Sequence, residues 1–515
     1  MNRRDFLIGS FALLGGMGGA SGGARAESTS PVGRQADSRP KAAIVGAGVA
    51  GLAAARYLGE KGWDVDVLER DDHIGGLCST LVIEGFRFDL GPHIFSRLIG
   101  GLVPFKPGDL CPAAFTEAFL MDGKLRRFPG DLLTPSFIFD LSLTLAKNTF
   151  NSDRLKAARM EDLAEASYGP KANNEIFKPL LEKWCGAHLE DLDPRYFAGR
   201  MHSRLEAAWL KTHFWKMADR LTKKSDTRTT EQAAGSSESI DCGVGNITEA
   251  PGYSGRIGAR IVPDRLSEAV GSVRLHPGRA LTAVEVDKGR VSLIQAGDMQ
   301  FKPDFVISTI PLNRLAGLVR GSDQIARFRL IEYLNVVFVF ARIAGPSIQK
   351  TEWTWIPDRS VPFYRMSEMK TLNKENAPEN ATGLCLEATV PEGSAQYHEP
   401  DKYWTDLAHR FLDSSLGVKR SKIMGMDVVR RESAYPSFTF KNTDIISRSL
   451  EKTYVAGTTS HEFRTGVENL AMAGRAGTFL YLLTPWAIQS GRDAAGKAVR
   501  YWSSKAARPL DSERT

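Results

Sequence analysis

A chain of 515 residues is too long for a single ordinary core, and 42% apolar with 25% charged residues is the balance of a globular protein. No run of about 20 apolar residues argues for a permanent membrane span. The net charge of +7 is the difference of 67 basic and 60 acidic residues without a long basic block, so nucleic acid is not an expected partner. The five cysteines (Cys78, Cys111, Cys185, Cys242 and Cys385) are scattered, odd in number and free of C-x-x-C pairs. They predict free, mostly buried thiols rather than a disulfide framework, and no metal site.

The first elements in chain order read as an address. Asn2 to Leu7 (N-R-R-D-F-L) resembles the twin-arginine export motif, with Arg3 and Arg4 as the recognition pair. Ile8 to Ala20 is mildly apolar and glycine-rich, too short and flexible for a stable span. Ala24-Arg25-Ala26 forms an A-x-A cleavage site, and Glu27 to Pro40 has the polar, Pro/Ser-containing composition of a linker. The expectation is a periplasmic protein whose mature chain begins at Glu27 and whose partners include the twin-arginine export machinery.

From Lys41 a short apolar strand, Ala42 to Val45, runs directly into a helix through Gly46, Gly48 and Gly51, a G-x-G-x-x-G fingerprint. Gly46 allows the tight turn, Gly48 lets the backbone approach a pyrophosphate, and Gly51 allows close packing of helix and strand. The free N–H groups and dipole of the helix N-terminus then favour phosphate. The helix is expected to end at Gly62, with a second strand over Trp63 to Leu68. Glu69 at its end stands where a carboxylate accepts the ribose hydroxyls of a dinucleotide.

After Glu69 comes R-D-D-H-I-G-G-L, with a glycine pair at Gly75-Gly76. This resembles the E-x-x-x-x-x-G-G extension of FAD-binding oxidoreductases. The stretch from Glu84 to Phe95, containing G-F-R-F-D-L-G-P-H, is similar to the segment that runs beside the flavin ring in protoporphyrinogen-oxidase-like and UDP-galactopyranose-mutase-like flavoproteins. Near the far end, Glu468 to Gly477 (E-N-L-A-M-A-G-R-A-G) resembles the segment that closes the FAD site in the same group, which also includes amine oxidases and carotenoid desaturases. The resemblance implies FAD as cofactor. Together with the fingerprint it gives candidate cofactor contacts at Gly46, Ala47, Gly48, Ala50, Gly51, Glu69, Arg70, Gly75, Gly76, Leu77, Gly91, Pro92, His93, Leu281, Gly474 and Arg475. His93 and Arg475 are the candidates for catalysis, His93 as a polar group near the ring and Arg475 as a cation stabilising the anionic reduced flavin. After Tyr481 the chain departs from its protoporphyrinogen-oxidase-like relatives, with Leu482, Leu483, Thr484 and Pro485 where an aspartate is expected.

Between the two ends, Gly101 to Cys242 reads as a helical insertion. Met160 to Tyr168 and Asn173 to Leu189 carry apolar residues at three- and four-residue spacing, Arg200 to Leu221 continues the style, and Thr222 to Ser239 has loop composition. Phe177, Leu180, Leu181 and Trp184 share one helix face that suits a core. Arg274 to Leu293 alternates around the Asp287 to Arg290 turn as a hairpin, and Asp304 to Pro311 reads as a strand returning to the cofactor sheet. Tyr333 to Ile343 is strongly β-prone. Trp353-Thr354-Trp355 and Phe363-Tyr364-Arg365 suit sheet packing first and a substrate cleft second.

The expected fold class is α/β: a discontinuous Rossmann-type FAD-binding domain with a mixed α+β substrate domain and a helical insertion. The pieces are a leader (1–26), a linker (27–40), cofactor-domain segments (41–100, 243–315 and 451–503), the insertion (101–242), a substrate domain (316–450) and a tail (504–515). The expected function is oxidation of a small organic substrate by hydride transfer to flavin N5, with oxygen or a quinone as electron acceptor. The alternative is a flavin-dependent sugar mutase, which Gly91 to Phe95 resembles closely.

Overall fold

The computed structural model describes residues 39–506 apart from 96, 113–115, 128–129, 133–135, 138, 141–142, 145–158, 197–251, 255–256 and 453–457. The leader, the linker up to 38, Cys242 and the 200–239 stretch lie outside the described residues.

Five parallel strands form the first sheet, in the order Leu470–Met472, Phe305–Ser308, Lys41–Val45, Asp64–Leu68 and Ser272–His276. They come from three separate stretches of chain. The apolar run Ala42–Val45 is buried throughout, as a central parallel strand covered on both faces requires. The fingerprint helix, Val49–Glu60, covers one face with small residues, Ala50 and Ala53 to Ala55 among them. Small residues also let the final helix, Thr484–Ala506, cross it closely: a Cβ on Gly491 would lie 2.0 Å from the Ala50 carbonyl oxygen. The fingerprint helix stops at Glu60, two residues before the expected end, and Gly62 turns the chain with a φ of +80°.

The expected hairpin is Ala283–Asp287 against Arg290–Ala296, closed by Lys288 and Gly289 at positive φ. Arg274 does not belong to it. Ser272–His276 pairs instead with Asp64–Leu68, at the edge of the parallel sheet.

The second sheet has seven strands: Ile423–Pro436, Tyr333–Ala344, Ala381–Pro391, Arg365–Glu368, Trp353–Trp355, Glu117–Met121 and Lys124–Arg127. The last two add strands to the stretch 101–242, which reads from sequence as a helical insertion. Glu117–Met121 pairs in parallel with Trp353–Trp355 and turns back through Asp122-Gly123, both at positive φ. That Asp-Gly between short alternating runs is a hairpin signal which the helical spacing further along the insertion overshadowed. Helices Met160–Tyr168 and Lys178–Cys185 do form, the second entered through a wide turn at Asn173–Phe177 and ended by Gly186 in the left-handed conformation rather than running on to Leu189.

The two sheets are joined by a small hairpin, Thr80–Ile83 with Phe86–Asp89, which belongs by sequence to the cofactor side. Phe88 stacks on Phe340 of the long central strand at 4.6 Å between centroids. A Cβ on Gly383 would lie 2.8 Å from the Phe88 ring, so glycine there lets the hairpin seat. The other face of the central strand packs on helix Asp401–Leu416 through Trp404, Phe411 and Leu412.

Candidate active site

The fingerprint turn leaves the first strand with Gly46 at φ +99°, its N–H donating to the Leu68 carbonyl at 2.8 Å. A Cβ on Gly46 would come within 2.3 Å of Thr309 Oγ1, and one on Gly51 within 1.9 Å of the Gly46 oxygen. Packing alone therefore requires these two glycines. Gly48 differs, because nothing lies within 4 Å of the Cβ it lacks. Beside that open ground the helix Val49–Glu60 begins without a side-chain cap. Unclaimed N–H groups of a long helix and vacant space at Gly48 are what a pyrophosphate needs.

Glu69 is aimed at the same turn. Its carboxylate accepts from the N–H of Ala47 at 2.7 Å and of Asp71 at 2.9 Å, leaving acceptor capacity for a diol. These donors fit a dinucleotide such as FAD. The glycine pair lies against the turn as well. Gly75 N–H donates to the Ala47 carbonyl at 2.9 Å, and a Cβ on Gly76 would sit 3.5 Å from Gly48 Cα. A Cβ on Gly474 would lie 2.9 Å from Ala50, and the Gly474 N–H donates to Ser490 Oγ. The chain therefore brings Gly46, Ala47, Gly48, Ala50, Gly51, Glu69, Gly75, Gly76 and Gly474 together.

Three of the other expected contacts stand apart from that cluster in different ways. Arg70 points outward, reaching Asp71 at 3.3 Å and Glu432 at 3.4 Å with its side chain 61% exposed, so it bridges two surface carboxylates. Leu77 packs with the aromatic cluster of the small hairpin. Leu281 is half-buried two residues beyond Arg279, whose N–H donates to the Glu69 carbonyl.

The second wall is made of side chains. Gly91 at φ +83° brings the Gly91-Pro92-His93 turn onto a buried ion pair: a Cβ there would lie 3.0 Å from both Arg365 Nη2 and Glu387 Oε2. Arg365 donates to Glu387 through Nε at 2.6 Å and Nη2 at 2.7 Å, and Tyr364 Oη adds a bond to the same carboxylate at 2.9 Å. His93 Nδ1 lies 3.0 Å from the Gly91 carbonyl, which can only accept. Its proton is therefore on Nδ1 and its free lone pair on Nε2. Burial pulls this imidazole below its ordinary pKa against the opposing pull of Asp89, favouring the neutral ring.

Arg475 completes the wall. Its Nε and Nη2 donate to the Leu482 carbonyl at 3.0 and 2.7 Å, and its guanidinium lies 5.0 Å from the Tyr435 ring and 4.9 Å from Tyr481. A backbone carbonyl from the divergent segment thus holds the arginine. Tyr333, fully buried, donates to the Ala476 carbonyl at 2.7 Å and fixes the turn from the other side.

A narrow cleft, partly open to solvent and with enclosed room for about one water molecule, lies next to Arg475 and is lined by Trp184, Cys185, Leu192, Leu334, Tyr435, Pro436, Phe438 and Tyr481. Trp184 stacks on Tyr364 at 5.9 Å and meets Trp355 at 5.7 Å and Tyr481 at 5.6 Å. Phe177, Leu180 and Leu181 from the same segment are core as expected, whereas Trp184 serves both core and pocket. Sequence reasoning missed Glu387 and Tyr435. A lone carboxylate in the apolar run L-C-L-E-A-T-V is a signal for a buried pair. Tyr435 gave none: it is set by a bulge in which Ser433 takes φ +49° and donates its N–H to Asn335 Oδ1 at 2.9 Å.

The family follows from comparison with known proteins. The sequence profile of the flavin containing amine oxidoreductases matches residues 49–499, so the chain belongs to that family and is an FAD-dependent oxidoreductase. Among curated relatives, a 1-hydroxycarotenoid 3,4-desaturase from a Flavobacterium species is 50% identical over 56 residues, spanning 11% of this chain and 12% of the desaturase. Among solved structures, a reduced UDP-galactopyranose mutase superposes with a TM-score of 0.68 at 18% identity, covering 90% of this chain and 96% of the mutase. The cyclohexylamine oxidase of Brevibacterium oxydans gives 0.58 at 14% identity, covering 90% of this chain and 100% of that one. At these identities the superpositions establish the fold.

Proposed function

We propose that this enzyme oxidises an uncharged, conjugated organic substrate that lies against the aromatic cleft beside Arg475. The hydride-accepting chemistry belongs to FAD when bound, with oxygen or a quinone taking the electrons afterwards. The fingerprint turn and helix N-terminus hold its phosphates, Glu69 its ribose, and the Gly91 to His93 turn brings the chain close to its ring. Arg475 supplies a fixed positive charge to offset negative charge developing on reduction. Neutral His93 offers Nε2 as a proton acceptor or hydrogen-bond partner.

The observation that carries this reading is the composition of the pocket wall. Its lining residues are aromatic or apolar, the nearby Glu387 carboxylate is consumed by Arg365 and Tyr364, and Arg475 lies against the two tyrosines. An ammonium entering there would lose water and meet an arginine, whereas an uncharged conjugated molecule stacks. Anaerobic addition of candidate substrates to the yellow protein, followed by flavin absorbance, tests it. Bleaching by a polyene and not by a primary amine is expected; bleaching by amines alone reverses the substrate assignment. Conversion of a sugar nucleotide by the dithionite-reduced protein would favour the mutase alternative instead.

Export by the twin-arginine route is part of the same proposal and rests on Arg3, Arg4 and Ala24 to Ala26. Replacing both arginines with lysine keeps the charge and should hold the FAD-loaded protein in the cytoplasm. Fractionation that finds the wild type there, uncleaved, removes the export reading.

A further inference from the structure

Lys183 precedes Trp184 on the helix Lys178–Cys185 and spends its side chain away from the pocket. Its Nζ donates to three backbone carbonyls, those of Asp358 at 2.8 Å, Val361 at 3.1 Å and Phe363 at 2.7 Å. An ammonium has three protons, and all three are used. The carbonyls belong to one loop, 357–363, which connects the strand ending at Trp355 to Tyr364; Ile356 N–H donates to the Tyr364 carbonyl at 2.9 Å and closes its base. Both ends of that loop therefore carry a ring that packs on Trp184. Next to Lys183, Glu182 makes an ion pair with Arg359 of the same loop at 2.9 Å, although Arg359 is 58% exposed and this second tie is the weaker.

We propose that Lys183 is a positioning residue that sets the shape of the pocket: by stapling the 357–363 loop to the helix it fixes Trp184 against Trp355 and Tyr364. The inference rests on reading the aromatic pocket as the substrate site, but its test reads the geometry of the wall directly and needs no substrate. The staple has a built-in sensitivity. Burial pulls the Lys183 ammonium down to about 7, Asp358 opposes this and Arg359 adds to it. The three carbonyl dipoles favour the charged form, while Glu182 is shared with Arg359 and His188. A neutral amine has two protons and no charge, so deprotonation releases at least one carbonyl and weakens the others.

The experiment uses the FAD-loaded full chain and the Lys183→Met variant, compared by near-ultraviolet circular dichroism and by trypsin cleavage after Arg359. With FAD content and far-ultraviolet signal unchanged, Lys183→Met should lose tryptophan ellipticity and be cut about tenfold faster, the loop being open more of the time. Wild-type ellipticity and wild-type cleavage in that variant overturn the proposal. If the variant does not fold, the wild type decides. Its tryptophan signal and protection at Arg359 should fall as pH rises through the ammonium's titration, and values that stay flat from about pH 6 to 10 overturn it equally.

Discussion

In the parallel sheet most of the functional atoms are backbone groups, placed by glycines at Gly46, Gly51, Gly75 and Gly474, with the Glu69 carboxylate beside them; in the seven-stranded sheet they are large side chains, placed by a buried ion pair and a bulge. The first region tolerates no added volume at Gly46, Gly51 and Gly474 and leaves open space at Gly48, which suits a ligand of fixed shape. The second is a mosaic of rings whose identity can vary without breaking a strand. A family can therefore keep one cofactor while its substrates diverge, because the constraint on each wall is of a different kind.

The largest test of this contrast lies within the fingerprint. Gly51→Val drives a branched side chain into the Gly46 carbonyl, where even a Cβ lies at 1.9 Å, and should yield no folded protein. Gly48→Val meets only open space in the protein, so it should fold with native far-ultraviolet dichroism and carry no FAD. Full flavin content in Gly48→Val would show that the pyrophosphate lies elsewhere.

On the other wall, Glu387→Ala leaves Arg365 charged and buried without its partner. It should lower unfolding free energy by about 3–5 kcal/mol, measured by urea titration of the holoprotein. A loss below about 1 kcal/mol would mean that the pair is wetter than its burial indicates.

His461 offers a pH-dependent comparison. It is buried between Tyr196 and Phe463, and burial holds its pKa at about 4. The folded state thus keeps a neutral ring, and its contribution is complete above the unfolded value of 6.5 and lost as pH falls toward 4. About 3 kcal/mol of stability should disappear across that window. His461→Gln should flatten this acid limb, and an unchanged slope would assign the acid sensitivity to other groups.

The smallest effect is expected at Glu69, whose carboxylate is already held by two protein N–H groups. Glu69→Ala should weaken FAD by about 10–100-fold, through loss of charge-assisted bonds to the ribose, with melting of the apoprotein little changed. Titration of apoprotein with FAD reads this directly, and unchanged affinity would reduce Glu69 to a brace for Ala47 and Asp71.

The same contrast explains what could be read in advance. The fingerprint, Glu69, Gly75-Gly76 and the Gly474-Arg475 turn were legible because backbone chemistry needs glycine at fixed spacing, and fixed spacing survives in a linear string. The outward course of Arg70 was not legible, because adjacency to Glu69 in sequence says nothing about which face of the turn its long side chain takes. Glu117–Met121 was absorbed into a helical insertion although Asp122-Gly123 marks a turn. Glu387 meets Arg365 only through strand pairing between distant segments, Tyr435 meets Arg475 only where the long strand packs on the Gly474–Thr478 turn, and the bulge at Ser433 that aims Tyr435 has no local signature.

The order of the strands in the parallel sheet also sets a timetable. Lys41–Val45 and the fingerprint helix are among the first described elements to be synthesised, while their neighbours Leu470–Met472 and Thr484–Ala506 are among the last. The helix that presses Gly491 onto Ala50, and the strand beyond Phe305–Ser308, cannot be in place while the intervening chain is still being made. The parallel sheet is consequently complete only once Leu470–Met472 has been made, and until Phe305–Ser308 is made the strand Lys41–Val45 has Asp64–Leu68 on one edge and no neighbour on the other. An unpaired strand edge held open over so long a stretch of synthesis is the kind of surface through which large domains misassemble.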